Sequence, residues 1–146
     1  MITTKITKRI DAPLELVFQT IADIRNFSKA VTHIVNVEFL TSKQTGIGTK
    51  FRETRLMNGK EASTILEVTE YEENKRIRMV SDTHGTIWDS LFVVETDGNC
   101  TVIYFQMEAT TKNWFKNLLN VLFKGIIAKA IEKDMDAVKE YCEKQK

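Results

Sequence analysis

The last third of the chain sets the strongest constraint on its fold. From Lys112 to Lys146 there is no proline and only one glycine, Gly125, so nothing in the stretch stops a helix outright. Phe115, Leu119, Leu122, Ile126 and Ala130 recur at helical spacing, and Ala137 and Tyr141 continue the series. Leu118, Ile127, Ile131, Met135 and Val138 widen that stripe. Asn113, Lys116, Asn117, Asn120 and Lys124, then Glu132, Asp136 and Lys139, occupy the other side. The pattern predicts one amphipathic helix of about 30 residues, roughly 45 Å long at 1.5 Å per residue. Such a helix needs a large apolar surface to lie across.

The middle of the chain supplies that surface. Ile2 to Ile10 alternates with Ile2, Ile6 and Ile10 on one face, the period of a strand. Asp11-Ala12-Pro13 ends it and starts a helix carrying Leu14, Val17, Phe18 and Ile21, and a second short helix follows around Ile24 to Ala30. Strands are then predicted over His33–Leu40, Thr49–Met57, Glu61–Tyr71, Arg76–Thr83, Thr86–Glu95 and Thr101–Ala109. Asn58-Gly59 and Asp97-Gly98 are hairpin signals, and Gly46-Ile47-Gly48 predicts a turn or bulge before the third strand. Strands grouped together ahead of a helix imply an α+β fold with an antiparallel meander. A twisted sheet of seven strands tends to curl around what covers it, here the long helix.

Composition narrows the function classes. The 146 residues are the length of one ordinary domain, with 42% hydrophobic and 28% charged residues, and residues 1–146 are read as a single domain. The net charge of +1 gives no basic field for nucleic acid. No uninterrupted apolar run is long enough to span a bilayer, so no integral membrane partner is expected. The opening residues lack the apolar core of an export signal, and Cys100 and Cys142 show no CxxC spacing. A cytoplasmic location with both thiols reduced is the expectation.

The segment ITKRIDAPLELVFQTIADIRNFSKAV resembles the opening of the START/Bet v 1-like (SRPBCC) superfamily, in its polyketide cyclase/dehydrase-like branch. VEFLTSKQTGIGTKFRET is similar to that family's second hairpin, ILEVTEYEENKRIRM to its fourth and fifth strands, and GNCTVIYF to the turn into its last strand. The resemblance covers nearly the whole chain. It implies a helix-grip fold: a seven-stranded curved antiparallel sheet around a long C-terminal helix, with two short helices between the first two strands. It also implies a cavity, but no particular reaction, since the superfamily hosts carriers, cyclases, hydrolases and co-chaperone-like proteins on one scaffold.

A curved sheet held off a helix leaves an interior, and strand parity decides what lines it. In the third strand Phe51 and Met57 mark the inward face, which brings Glu53 and Arg55 with them. Charges in a dry interior must pair or reach solvent, so these two serve as a ligand anchor, a structural pair or an exposed ladder. Trp88 is expected as a cavity wall or core residue, and Tyr104 as an internal hydroxyl donor or an outward tyrosine. Phe27 and Val31 from the short helix, with Leu119, Leu122, Phe123 and Ile126 from the long one, complete the predicted ligand-binding set. The lysine-rich outer side of the long helix suggests an anionic membrane surface, but Glu132, Asp136 and Glu140 interrupt it and favour a solvated face.

His33 and His84 stand apart, and no metal motif, nucleophile elbow or phosphate loop is present. No cofactor, metal or catalytic residue is therefore assigned. The leading expectation is a non-catalytic carrier or sensor for an apolar or amphipathic small molecule, with no signal for an oligomeric state. Two alternatives stand beside it. One is a cyclase or hydratase using Glu53, Asp89, Tyr104 or His84 on a bound carbonyl compound. The other is a co-chaperone-like interaction module with a packed interior.

Overall fold

Strand β1 (Ile2–Ile10) opens the chain, and the turn at Pro13 leads into α1 (Leu14–Ala22) and α2 (Ile24–Ala30). Asp23 separates these helices and caps α2 by accepting the Arg25 backbone N–H. Six strands follow: β2 (Ile34–Phe39), β3 (Lys50–Met57), β4 (Lys60–Glu72), β5 (Arg76–Thr83), β6 (Thr86–Asp97) and β7 (Cys100–Thr111). Helices α3 (Trp114–Leu122) and α4 (Lys124–Gln145) complete the architecture of this computed structural model, which describes residues 1–146.

All seven strands form one antiparallel sheet in the order β1-β7-β6-β5-β4-β3-β2. The meander from β2 to β7 is the one predicted, and β1 returns to pair with β7, Ile6 opposite Phe105. Asn58-Gly59 forms a two-residue hairpin with both residues at positive φ, which asparagine and glycine tolerate. The second predicted hairpin is shifted by one residue. Asp97 still pairs with Cys100, so the loop is Gly98-Asn99, with Gly98 supplying the positive φ.

Gly46 and Gly48 lie in the β2–β3 loop and leave the parity of β3 untouched. The register shifts fall elsewhere, between Ile34 and Asn36 in β2 and between Val68 and Glu70 in β4. The second is why Leu66, Val68 and then Tyr71 all face inward.

The core gathers where α1 and the second half of α4 meet β1 and the centre of the sheet. Val17, Phe18, Ile10, Ile77, Ile103, Met135, Val138 and Cys142 are fully buried there. Phe18 meets Tyr71 edge to face at 5.5 Å between ring centroids. Polar contacts tie the far end of α4 to the β1–α1 corner. The Asp11 backbone N–H donates to Glu143 at 2.9 Å, and the Cys142 thiol to the Thr20 hydroxyl at 3.4 Å.

The single C-terminal helix expected from periodicity is two helices. The chain bends at Phe123, whose φ of −98° and ψ of 8° leave the helical region. Asn113 caps α3 by accepting from the Phe115 and Lys116 backbone N–H groups. Only the later part of the stripe, at Met135, Val138 and Cys142, is buried. No residue of α3 is buried. No helix of the structure is long and apolar enough to cross a membrane.

The contrast between the two parts of the stripe is measurable. Phe18→Ala is expected to lower the free energy of unfolding in urea by about 3–5 kcal/mol, the usual cost of an unfilled aromatic site. Leu122→Ala, on the exposed side of α3, should change it by less than about 0.5 kcal/mol.

Candidate ligand-binding site

Between the concave face of the sheet and the helices lies a cavity of about 410 Å³, lined by 19 residues of which 15 are hydrophobic. The sheet contributes Phe51, Glu53 and Arg55 from β3, Leu66 from β4 and Met79 from β5. Trp88, Ser90 and Phe92 come from β6, and Phe105 and Met107 from β7. Ile21, Ala22, Ile24 and Phe27 of α1 and α2 close one side. Ile127, Ala130, Ile131, Asp134 and Met135 of α4 close another. Each strand delivers alternate residues to this wall, and cross-strand pairing keeps them in register: Phe51 faces Leu66, Met79 faces Ser90, and Phe92 faces Phe105. The Phe92 and Phe105 rings stack at 4.6 Å, tilted by 55°.

One polar pole interrupts the apolar wall. Arg55 Nε donates to Glu53 Oε2 at 2.7 Å. Its Nη1 donates to Asp134 Oδ2 at 2.9 Å, reaching from β3 to α4, and lies 3.1 Å from His33 Nε2. The same His33 Nε2 lies 3.7 Å from Asp134 Oδ1, so the ring sits beside both members of the Arg55–Asp134 pair. Burial disfavours the charge on Arg55, but the carboxylates of Glu53 and Asp134 outweigh it and hold its pKa above the ordinary value. Nη2 of Arg55 and Oε1 of Glu53 make no hydrogen bond within the protein, and neither does the Ser90 hydroxyl, which lies apart from them on β6. They remain available to a guest. The Arg55 guanidinium is already shared by two carboxylates, Glu53 and Asp134, so it is not a free anion trap.

The family described as polyketide cyclase / dehydrase and lipid transport matches residues 1–143. The chain belongs to that family. Within it the fold is the START/Bet v 1-like one, and several solved structures share it. The Zhui aromatase/cyclase from Streptomyces sp. R1128 superposes with a TM-score of 0.80 at 14% identity, covering 99% of this chain and 94% of that one. A START superfamily protein from Mycobacterium smegmatis gives 0.80 at 13% identity, covering 99% of both chains. Ara h 8.0201 gives 0.72 at 14% identity, covering 97% of both. At such identities the likeness is one of fold. No curated protein matches the chain.

Within this family fold, five of the residues singled out in the sequence come together at the cavity: Phe27, Phe51, Glu53, Arg55 and Trp88. The other six do not reach it. Val31 is 1% exposed and packs in the core between α2 and β2. Tyr104 is 43% exposed on the convex face, because the buried Ile103 and Phe105 beside it fix the parity of β7. Leu119, Leu122, Phe123 and Ile126 do not line the cavity: α3 packs against β7 instead, and Leu122, Phe123 and Ile126 face solvent. Met57, expected to share the inward face of β3, is exposed at that strand's end.

The acid–base set considered from sequence is not assembled. Asp89 lies on the convex face, 3.2 Å from Arg78, and His84 sits in the β5–β6 turn, both away from Glu53.

Sequence reasoning missed Asp134 and His33 as partners of Arg55. Asp134 carries a readable signal: it falls between Ile131 and Val138 on the apolar side of α4, where a lone carboxylate requires a partner.

Arg55→Met should expose how the pole is held. Two carboxylates would then face the cavity without their cation, and a loss of about 3 kcal/mol or more in unfolding free energy is expected. Arg55→Met combined with Glu53→Gln and Asp134→Asn should recover most of that loss in the same urea titration.

Proposed function

We propose that this protein holds an amphipathic small molecule in the cavity, its apolar body among the aromatic walls and its polar head at Arg55 and Glu53. The observation that carries the proposal is an apolar enclosure with a single polar pole whose outward atoms are unpaired. A volume of about 410 Å³ fits within the roughly 300–1,000 Å³ of small-molecule sites. Burial of the body supplies affinity at about 25 cal/mol per Å². The pole supplies orientation: Arg55 Nη2 donates and Glu53 Oε1 accepts. Two carboxylates against one guanidinium favour a neutral head, such as a hydroxyl or phenol, over a carboxylate. Residues 1–146 act in this proposal as one ligand-binding domain. The unpaired cysteines, Cys100 and Cys142, are in keeping with a reducing cytoplasm.

Trp88 reports directly on the guest. In Trp114→Phe, where it is the only tryptophan, a panel of fatty alcohols, fatty acids and polycyclic phenols should include ligands that alter its fluorescence saturably at one site. Alcohols and phenols should bind more tightly than the matching acids. Phe27→Ala should weaken binding about tenfold, the equivalent of roughly 1.4 kcal/mol of lost apolar contact. If no member of the panel saturates, the carrier proposal fails.

A second proposal, catalysis, is favoured by Glu53 itself. It is 8% exposed, lines the cavity, and has one oxygen without a hydrogen bond. A carboxylate so placed is in position to take a proton from a bound carbonyl compound. Glu53→Gln should then abolish turnover of a poly-β-carbonyl substrate while leaving its dissociation constant within about threefold. Unchanged turnover would remove Glu53 from any such role. The third expectation, an interaction module, calls for a packed interior, and a cavity of this size speaks against it.

A further inference from the structure

Helix α3 is turned inside out. Trp114, Leu118 and Leu122 point to solvent with exposures of 77%, 46% and 67%, flanked by the exposed Phe115 and Val121. The patch continues past the bend through Phe123 and Ile126. The polar residues Lys116, Asn117 and Asn120, together with Leu119, are the ones partly buried against the protein. Beneath the helix, Asn117 Oδ1 and Asn120 Nδ2 are buried without a hydrogen-bond partner. Lys116 Nζ donates to the backbone oxygen of His84. Water rewards the opposite orientation, so the exposed face calls for a partner outside the chain.

We propose that α3 and the first turn of α4 form a docking surface for an anionic lipid bilayer. Charge selects this occupant. From Ala109 through Ile131 there are four lysines, Lys112, Lys116, Lys124 and Lys129, and no carboxylate. The acidic residues that interrupt the pattern in sequence lie further along α4 and have their own cations. Glu132 and Asp136 both hold Lys8, at 2.7 and 2.6 Å, and Glu140 holds Lys144 at 2.9 Å. A second copy of the chain seated on this face by a two-fold axis would bring lysines against lysines, whereas lipid phosphates neutralise them.

The shape agrees with that choice. A protruding one-sided helix with an aromatic N-terminal turn and flanking lysines is suited to lie in a bilayer interface with its apolar side down. Beside its N-terminus an open cleft of about 520 Å³, lined by Thr110, Thr111, Lys112, Asn113 and Lys116 among others, offers hydroxyl and ammonium donors to headgroups. Ile127 and Ala130, next along α4, line the cavity, so docking turns that wall toward the lipid. The surface itself does not depend on what the cavity holds.

Flotation of the full chain with vesicles tests this. Vesicles of phosphatidylcholine containing about one third phosphatidylglycerol should retain the protein about tenfold or more better than phosphatidylcholine alone, and added salt should weaken retention. Trp114 fluorescence should shift to the blue on binding, and the shift should be lost in Trp114→Phe. Leu118→Ser with Leu122→Ser should reduce retention about tenfold without lowering the thermal midpoint, since both side chains are exposed. Lys112→Glu with Lys124→Glu should abolish the preference for anionic lipid. Equal retention on both vesicle types, or retention unaffected by the leucine pair, would overturn the proposal. So would a concentration-dependent dimer in sedimentation that the leucine pair dissolves, because the face would then belong to a second copy.

Discussion

The second half of α4 is fixed against β1 and α1, and the cavity exists because it is. Met135, Val138 and Cys142 are sealed in the core with Ile10, Val17 and Phe18. Lys8 on β1 reaches both Glu132 and Asp136, and Glu143 accepts from the Asp11 backbone. The helix is therefore held at one margin of the sheet. From that margin the strands twist and curl through β7 and β6 toward β3, and a straight helix cannot follow the curve. The first half of α4 bridges the gap, and side chains from α1 and α2 fill only part of it. Apolar burial at one end of the helix thus sets the volume available at the other.

Arg55 closes the opposite side. Its bond to Asp134 ties β3, near the far edge of the sheet, back to α4. A charged group is a costly way to make such a tie, since desolvating it opposes the attraction it gains. A hydrophobic contact would hold the strand as well, but it would leave the interior without direction. The guanidinium leaves one nitrogen and the adjoining Glu53 one oxygen without a hydrogen bond, on two residues that line the cavity. The polar cluster is thereby both a clasp between sheet and helix and the only strongly polar feature a guest would meet. The two roles share the same atoms, so substitutions that test one will also disturb the other.

Most of the fold could be read from the sequence because it rests on local patterns. Period-two alternation, the Asn58-Gly59 turn and the proline at the start of α1 each have one physical meaning, and the strands fall within a few residues of where those patterns put them. The site was less legible because it depends on parity and on pairs distant in sequence. Phe51 and Trp88 were accessible, since their strands carry clear faces. Tyr104 was not, because both faces of β7 contain large apolar or aromatic residues and only pairing with β1 and β6 decides between them. The bulge at Thr69, which has no glycine or proline to announce it, lay equally out of reach. Asp134 lies 79 positions from Arg55, so only the folded chain brings them together.

The misassigned stripe is the more instructive failure. Periodicity from Phe115 to Tyr141 reports that one side of a helix avoids water, but it carries no information on what covers that side. Up to Phe123 and from Met135 onward the pattern is the same in kind. The later part is covered by β1 and α1, whereas most of the apolar face of the earlier part is left to solvent. The bend at Phe123 separates the two destinations, and the charges differ accordingly. Lysines without carboxylates accompany the uncovered part, while mixed charges paired to neighbouring elements accompany the covered one. The same period therefore reads alike in sequence whether the fold covers the face or leaves it open, and only the accompanying charges distinguish the two parts.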